Sequence, residues 1–157
     1  MTGSGRLAIN LAFALRRRVL RLLRWPTRGV KVAAFDGAGR LLLVRNGYGR
    51  SELWVLPGGG VGRRETSDAA ARRELMEEVG CRLSDVRAIG EYRSRAEGKR
   101  DTVHLYRGVT ADPPRADGVE VIEARFFPLD ASPPETSPAT LRRIAELRGE
   151  RESDGTW

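Results

Sequence analysis

The chain has 157 residues, 40% of them hydrophobic and 31% charged, the proportions of one soluble globular domain, which excludes wholesale disorder. Seven of its 28 basic residues are arginines within the first 28 positions, where there is no acid, so the formal net charge of +7 belongs to that segment and the other 21 bases balance the 21 acids. A nucleic-acid-binding domain would carry its basic patch on the folded body, so nucleic acid is not the expected partner, and the lone cysteine, Cys81, excludes an internal disulfide and fits a reducing, cytoplasmic setting.

Leu7, Leu11, Leu15, Val19 and Leu22 or Leu23 recur at helical spacing with arginines between them, which predicts an amphipathic basic helix ended by Pro26. Three uses of this helix stay open. Its apolar stripe packs on the domain or on a second copy as a homodimer, residues 6–25 lie peripherally on an anionic membrane surface, or the segment is an organelle-targeting presequence. The order of charge and apolar residues is wrong for a secretory signal, and the apolar stretch 7–15 is too short to span a bilayer.

Beyond it, GVKVAAF and RLLLVRN flank DGAG, which predicts a hairpin of residues 30–35 with 41–46. ELWVLP is a short third strand stopped by Pro57. After a helix within residues 66–80, VRAIGEYRS, DTVHLYRGVT and VIEARFF each have strand character, and PATLRRIAEL has a helix start at Ser137 and Pro138 with Leu141, Ile144 and Leu147 spaced for one face. RGERESDGTW has nothing to bury and is expected to fray. The chain thus divides into a basic helix and linker at 1–28, a domain at 29–148 and a flexible tail at 149–157.

The chemistry is concentrated in PGGGVGRRETSDAAARRELMEEVG, residues 57–80. Thr66 or Ser67 can cap the helix, Asp68 suits its dipole, and Gly80 stops it. At about 100° per residue Ala71, Leu75 and Val79 share a core face, with Glu74, Glu77 and Glu78 on the arc beside it. Glu74 repels Glu77 and Glu78 at i,i+3 and i,i+4 by roughly 0.2–0.5 kcal/mol each even in solvent, so something must compensate them. Arg73, four residues before Glu77, supplies one answer: an exposed helix laced with ion pairs. The glycines before the helix supply another. Gly58, Gly59 and Gly60 let backbone carbonyls approach a ligand, and a carbonyl with three carboxylates is the oxygen donor set that a hard cation such as Mg²⁺ takes together with substrate phosphates.

The stretch resembles the Nudix hydrolase box, G-x5-E-x7-R-E-U-x-E-E-x-G-U with U apolar: Gly59, Glu65, Arg73, Glu74, Leu75, Glu77, Glu78, Gly80 and Cys81 stand at its specified positions. Seven of those positions demand one residue type, and at roughly 7% each chance agreement at a given start is about one in 10⁸. A frequent family variant has Glu-x-Gly-Glu in the loop, where this chain has Gly62 and Arg64 in place of the first Glu and the Gly. The box covers residues 59–81, and the order of elements from Val30 to Leu147 is similar to the family's α+β fold, an αβα sandwich around a central mixed sheet.

The resemblance implies Mg²⁺-dependent hydrolysis, with Mn²⁺ as a substitute, of a pyrophosphate bond in a nucleoside diphosphate derivative: a nucleotide, a nucleotide sugar or an ADP-ribose type substrate. It implies that Glu74, Glu77 and Glu78 bind metal with a carbonyl of Gly58 or Gly59, and that Glu65 and Arg73 orient loop and helix. The general base is Glu77 or a late acid, for which Glu120 is the candidate. Arg45, near where relatives place a base against substrate phosphate, and Trp54, whose ring suits a nucleobase but equally a core, are the candidate substrate contacts. A nucleotide-binding Nudix-like module without catalysis is the competing expectation.

Overall fold

The computed structural model describes residues 28–47, 49–94 and 101–157. The predicted basic helix, with its membrane and dimer expectations, lies outside the described residues. Eight elements follow one another: β1 (Arg28–Phe35), β2 (Leu41–Asn46), β3 (Trp54–Val55), α1 (Ser67–Val79), β4 (Ser84–Ser94), β5 (Asp101–Val109), β6 (Val121–Phe127) and α2 (Pro138–Leu147). The strands form one six-stranded mixed sheet in the order β3-β2-β1-β5-β4, with β6 also on β2. Among the described residues no helix is long and apolar enough to cross a membrane.

The DGAG turn forms as expected. Asp36 Oδ1 accepts from the amides of Ala38 and Arg40 at 3.0 and 2.9 Å, and Gly39 takes the positive φ of 74° that the turn needs. The strands it joins nevertheless separate at once, with Phe35 opposite Leu41 as their one register pair. β1 pairs in parallel with β5 along its whole length, and β2 pairs with β6. The glycine loop occupies the split: Val30 donates to Gly59 O at 2.8 Å, Val32 to Pro57 O at 2.9 Å and Val61 to Arg28 O at 3.1 Å. The predicted two-stranded hairpin is therefore corrected to a corner, because β1 satisfies its outer backbone groups on the loop that carries the box.

Alternation along the strands builds a core on each side of the sheet. Val30, Val32, Ala34, Leu42 and Val44 pack on Ala70, Ala71, Leu75 and Val79 of α1. Ala33, Phe35, Leu41 and Leu43 face the other way, onto Trp54, Leu56, Leu105 and Ile144 of α2. Each fully buried Leu or Val contributes about 1.5–3 kcal/mol over its exposed state, so α1 is held by its core face and not by its propensity. Thr66, not Ser67, is its cap, accepting from Ala69 N at 3.2 Å, and Gly80 closes it at φ 69°. Ser137 caps α2 in the same way.

The tail does not match the expectation that it has nothing to bury. Gly155 O accepts from Arg93 N at 2.8 Å and Trp157 N donates to Arg93 O at 3.0 Å, which adds a bridge to the edge of β4. Trp157 meets Tyr92 edge-on at 5.6 Å. The fully buried Arg143 lies 3.8 Å from the centre of the Tyr92 ring and donates to Thr156 O and Glu146. Trp157 and the buried Arg143 supply the apolar and cation–π contacts that hold the chain end on β4.

Candidate active site

The two faces of α1 overlap more than a helical wheel suggests. Glu74 is 1% exposed and Glu78 6% exposed, so two of the three carboxylates enter the protein with the core face. Glu74 lies against the glycine loop so closely that a Cβ on Gly59 would stand 2.6 Å from its carboxyl carbon. Glu78 Oε2 accepts the Gly58 amide at 2.9 Å. Gly58 has φ 141°, and a Cβ there would sit 2.2 Å from Val30 O. Glycines 58 and 59 are thus required for two distinct reasons, backbone conformation at the first and room for Glu74 at the second.

Arg73 joins loop and helix. Its guanidinium takes both oxygens of Glu65 at 2.7 and 2.9 Å, Gly60 O at 2.9 Å, Glu74 Oε1 at 2.7 Å and Glu77 Oε2 at 3.3 Å. Glu65 also accepts the Gly62 amide at 2.9 Å. The planar fork suits this multiple pairing, and Glu65, followed by Glu74, raises the Arg73 pKa further above its ordinary value. The predicted i,i+4 pair of Arg73 with Glu77 exists, but within a network that positions the loop and not as surface lacing.

Burial pushes the Glu78 carboxyl up to about 7; Lys31 and the Gly58 amide oppose the rise, and Glu74 and Glu120 add to it. Glu120, on the loop before β6, is therefore near enough to act on Glu78. Asp117 Oδ1 holds that loop by accepting the amides of Val119, Glu120 and Val121, each at 2.9 Å. Gly47 N donates to Glu120 O at 3.0 Å.

The fold thus brings together Gly58, Gly59, Glu65, Arg73, Glu74, Glu77 and Glu78, with Glu120 at their side. It does not bring the two proposed substrate contacts to them free-handed. Arg45 donates to Ser51 O at 3.0 Å and pairs with Glu123 at 3.1 Å. Trp54 is 6% exposed, edge-on to Phe127 at 4.9 Å in the α2-side core, the core position that the sequence left open beside a nucleobase contact. Two residues escaped the sequence reading. Asp117 looks like any loop aspartate, and Lys31 had one signal, a charge inside an otherwise apolar strand.

Among the described residues no group of three or more His, Cys, Asp and Glu side chains is arranged to hold a metal ion. Glu74 and Glu77 are turned to Arg73, and Glu78 to Gly58. The donor chemistry still suits a hard cation, since Glu65, Glu74, Glu77 and Glu78 all offer carboxylate oxygen.

An αβα sandwich whose glycine loop is tied to an acidic helix through one arginine defines a class of phosphate-handling folds by its site as much as by its sheet. The family model for the NUDIX domain matches residues 25–147, and the chain belongs to that family. It is 30% identical over 125 residues to a Bacillus subtilis protein provisionally named an 8-oxo-dGTP diphosphatase, covering 78% of this chain and 80% of that one. It is 39% identical over 64 residues to the RNA pyrophosphohydrolase of Teredinibacter turnerae, covering 41% of this chain and spanning only 36% of that relative's length. The crystal structure of a MutT NUDIX hydrolase from Burkholderia pseudomallei superposes with a TM-score of 0.69 at 25% identity, over 79% of this chain and 99% of that one.

Proposed function

We propose that the protein hydrolyses a phosphoanhydride bond of a nucleoside diphosphate derivative, with Mg²⁺ held at the junction of the glycine loop and α1. The observation that carries this reading is the convergence of two buried carboxylates, Glu74 and Glu78, on Gly59 and Gly58 with Glu120 beside them. The carbonyls of Gly59 and Gly60 already accept from Val30 and Arg73, which favours the Gly58 carbonyl as the backbone ligand, together with Glu74, Glu77 and Glu78. An ion held there by these residues would supply a lowered pKa to an attacking water and neutralise phosphate charge.

The chain's own residues do the rest. Arg73 fixes Glu65 and Glu74 in place and so sets the loop against the helix. Glu77, whose side chain is 28% exposed, or Glu120 accepts the proton of the attacking water. The names of the relatives put 8-oxo-dGTP and RNA on the substrate panel beside other nucleoside triphosphates, nucleotide sugars and ADP-ribose.

The test is that panel with Mg²⁺, with products identified by mass, for wild type and for Glu77→Gln and Glu78→Gln. Hydrolysis that requires the ion and falls by orders of magnitude in both variants is expected. Nucleotide binding without turnover would make the chain a binding module instead.

A further inference from the structure

Two hollows lie side by side on the α2 side of the sheet. The first, of about 330 Å³, sits over Tyr92, Leu105 and Arg143, and the second, of about 450 Å³, continues over Arg87, Gly108 and Val109. Ile89 and Arg107 line both, so the two form one trough. Its size is that of a small-molecule site. Leu105, and Phe35 beneath Arg107, belong to the α2-side core, which puts the trough on the face of the sheet opposite α1 and its carboxylates.

The charge in the trough is unbalanced. Arg87 stands directly opposite Arg107 in the β4–β5 register, a placement of like charges that destabilises an antiparallel pair. Among the described residues neither arginine pairs with a carboxylate, Asp85 of the same hollow included. The Arg107 guanidinium rests on the Phe35 ring, 4.7 Å from its centre, so a ring face supports it where an acid would otherwise pair with it. Glu146, the acid of the first hollow, is already engaged by Arg143 at 2.8 Å and by the Tyr92 hydroxyl at 2.7 Å. Ile89 and Val109, 40% and 38% exposed, add apolar surface beside the two arginines.

We infer that this trough binds a phosphate monoester, its phosphoryl group between Arg87 and Arg107 and its organic body along Ile89. Directly opposite residues hold their Cβ atoms about 4.5–5.5 Å apart, so both guanidinium groups reach one tetrahedral anion, and their planar forks match its oxygens in pairs. The anion offsets the repulsion between them. A nucleoside monophosphate has the charge, the size and the ring system that such a trough takes. The inference does not rest on the hydrolase reading, because the trough and the glycine loop lie on opposite faces of the sheet.

The experiment is calorimetric titration of the full chain with adenosine monophosphate, adenosine and orthophosphate, beside thermal melting. EDTA is present, so that no divalent ion joins phosphate to the carboxylates of α1. Wild type should bind the monophosphate more tightly than either fragment. Arg107→Met should weaken it by roughly ten- to a hundredfold, the loss expected for one charge-assisted hydrogen bond. Arg87→Glu turns the like-charge pair into an opposite-charge one, so it should lose the ligand while raising the Tm of the ligand-free chain by about 1–4 °C. If Arg87→Glu does not fold, Arg87→Gln is judged by its loss of binding. Wild type that takes up no monophosphate at millimolar concentration would overturn the inference, and so would undiminished binding in both arginine variants. Orthophosphate bound as tightly as the monophosphate would overturn the monoester assignment. Turnover of Arg87→Glu on the substrate panel should equal that of wild type, so failure of the panel and failure of the titration are read separately.

Discussion

The amide of Gly58 donates to Oε2 of Glu78 at 2.9 Å, across the gap between the glycine loop and the last turn of α1. Burial raises the acceptor carboxyl to about 7 against the opposing Gly58 contact, so burial of Glu78 makes stability depend on pH. The folded pKa lies above the unfolded one, near 4.5, so the folded state binds the extra proton between those values. The stabilisation is complete below about pH 4.5 and is lost as pH rises to 7, on the order of 3 kcal/mol. Melting curves of metal-free wild type and Glu78→Gln should diverge across that window, the variant being the more stable above pH 7. Added Mg²⁺ should raise the wild-type Tm more at pH 8 than at pH 5.

Gly59 leaves no room for a side chain beside Glu74. Gly59→Ala should displace that carboxylate or the loop, at a cost of about 1–3 kcal/mol. Activity should fall further than stability does. Denaturant unfolding and kcat on the same preparation measure the two losses, and unchanged kcat would mean that Glu74 and the loop are not coupled.

Arg73 is the cation paired with Glu74, which is 1% exposed. Arg73→Met would leave a buried carboxylate without its counter-charge, a change that costs about 3–5 kcal/mol for a buried pair; the partial exposure of Arg73 argues for the lower end. Denaturant unfolding of wild type and Arg73→Met at one pH measures the loss, and a variant as stable as wild type would refute this account.

Asp117 ties three successive amides of the Glu120 loop. Asp117→Ala should lower kcat through Glu120 with little change in KM, while Glu120→Gln lowers it further. Steady-state kinetics of the two single variants and the double variant settle the order, because a loop that acts only through Glu120 adds nothing once that carboxylate is gone.

The bridge from Arg93 to the tail is away from the proposed chemistry. Trp157→Ala removes the ring that meets Tyr92 and Arg143 and should cost roughly 1–3 kcal/mol. Turnover per folded molecule should stay at the wild-type level, read as kcat below the melting transition.

The eight elements were largely legible because each carries its own local signal: alternation in residues 30–35 and 41–46, a cap at Thr66, a stop at Gly80, and Ser137 with Pro138 before α2. The box was legible for a stronger reason. Glu65, Arg73, Glu74, Glu77 and Glu78 are spaced by one helix and its entry loop, so their proximity is a property of local geometry.

What the chain order could not reveal is who faces whom across the sheet. The Asp36 turn predicts a hairpin, but the partner of β1 is β5, some seventy residues on, and the glycine loop takes its other edge. Trp54 and Trp157 look alike as isolated aromatics; one fills the core over Phe127 and the other clamps the tail to β4. Lys31 is one charge in a strand until Gly58 is laid over it beside Glu78. Residue type and spacing determined which groups carry the chemistry, since helix and turn geometry act over a few residues. Burial, and with it the strength of every charge in the site, was decided by long-range packing, since the local dielectric depends on neighbours that sequence distance does not encode.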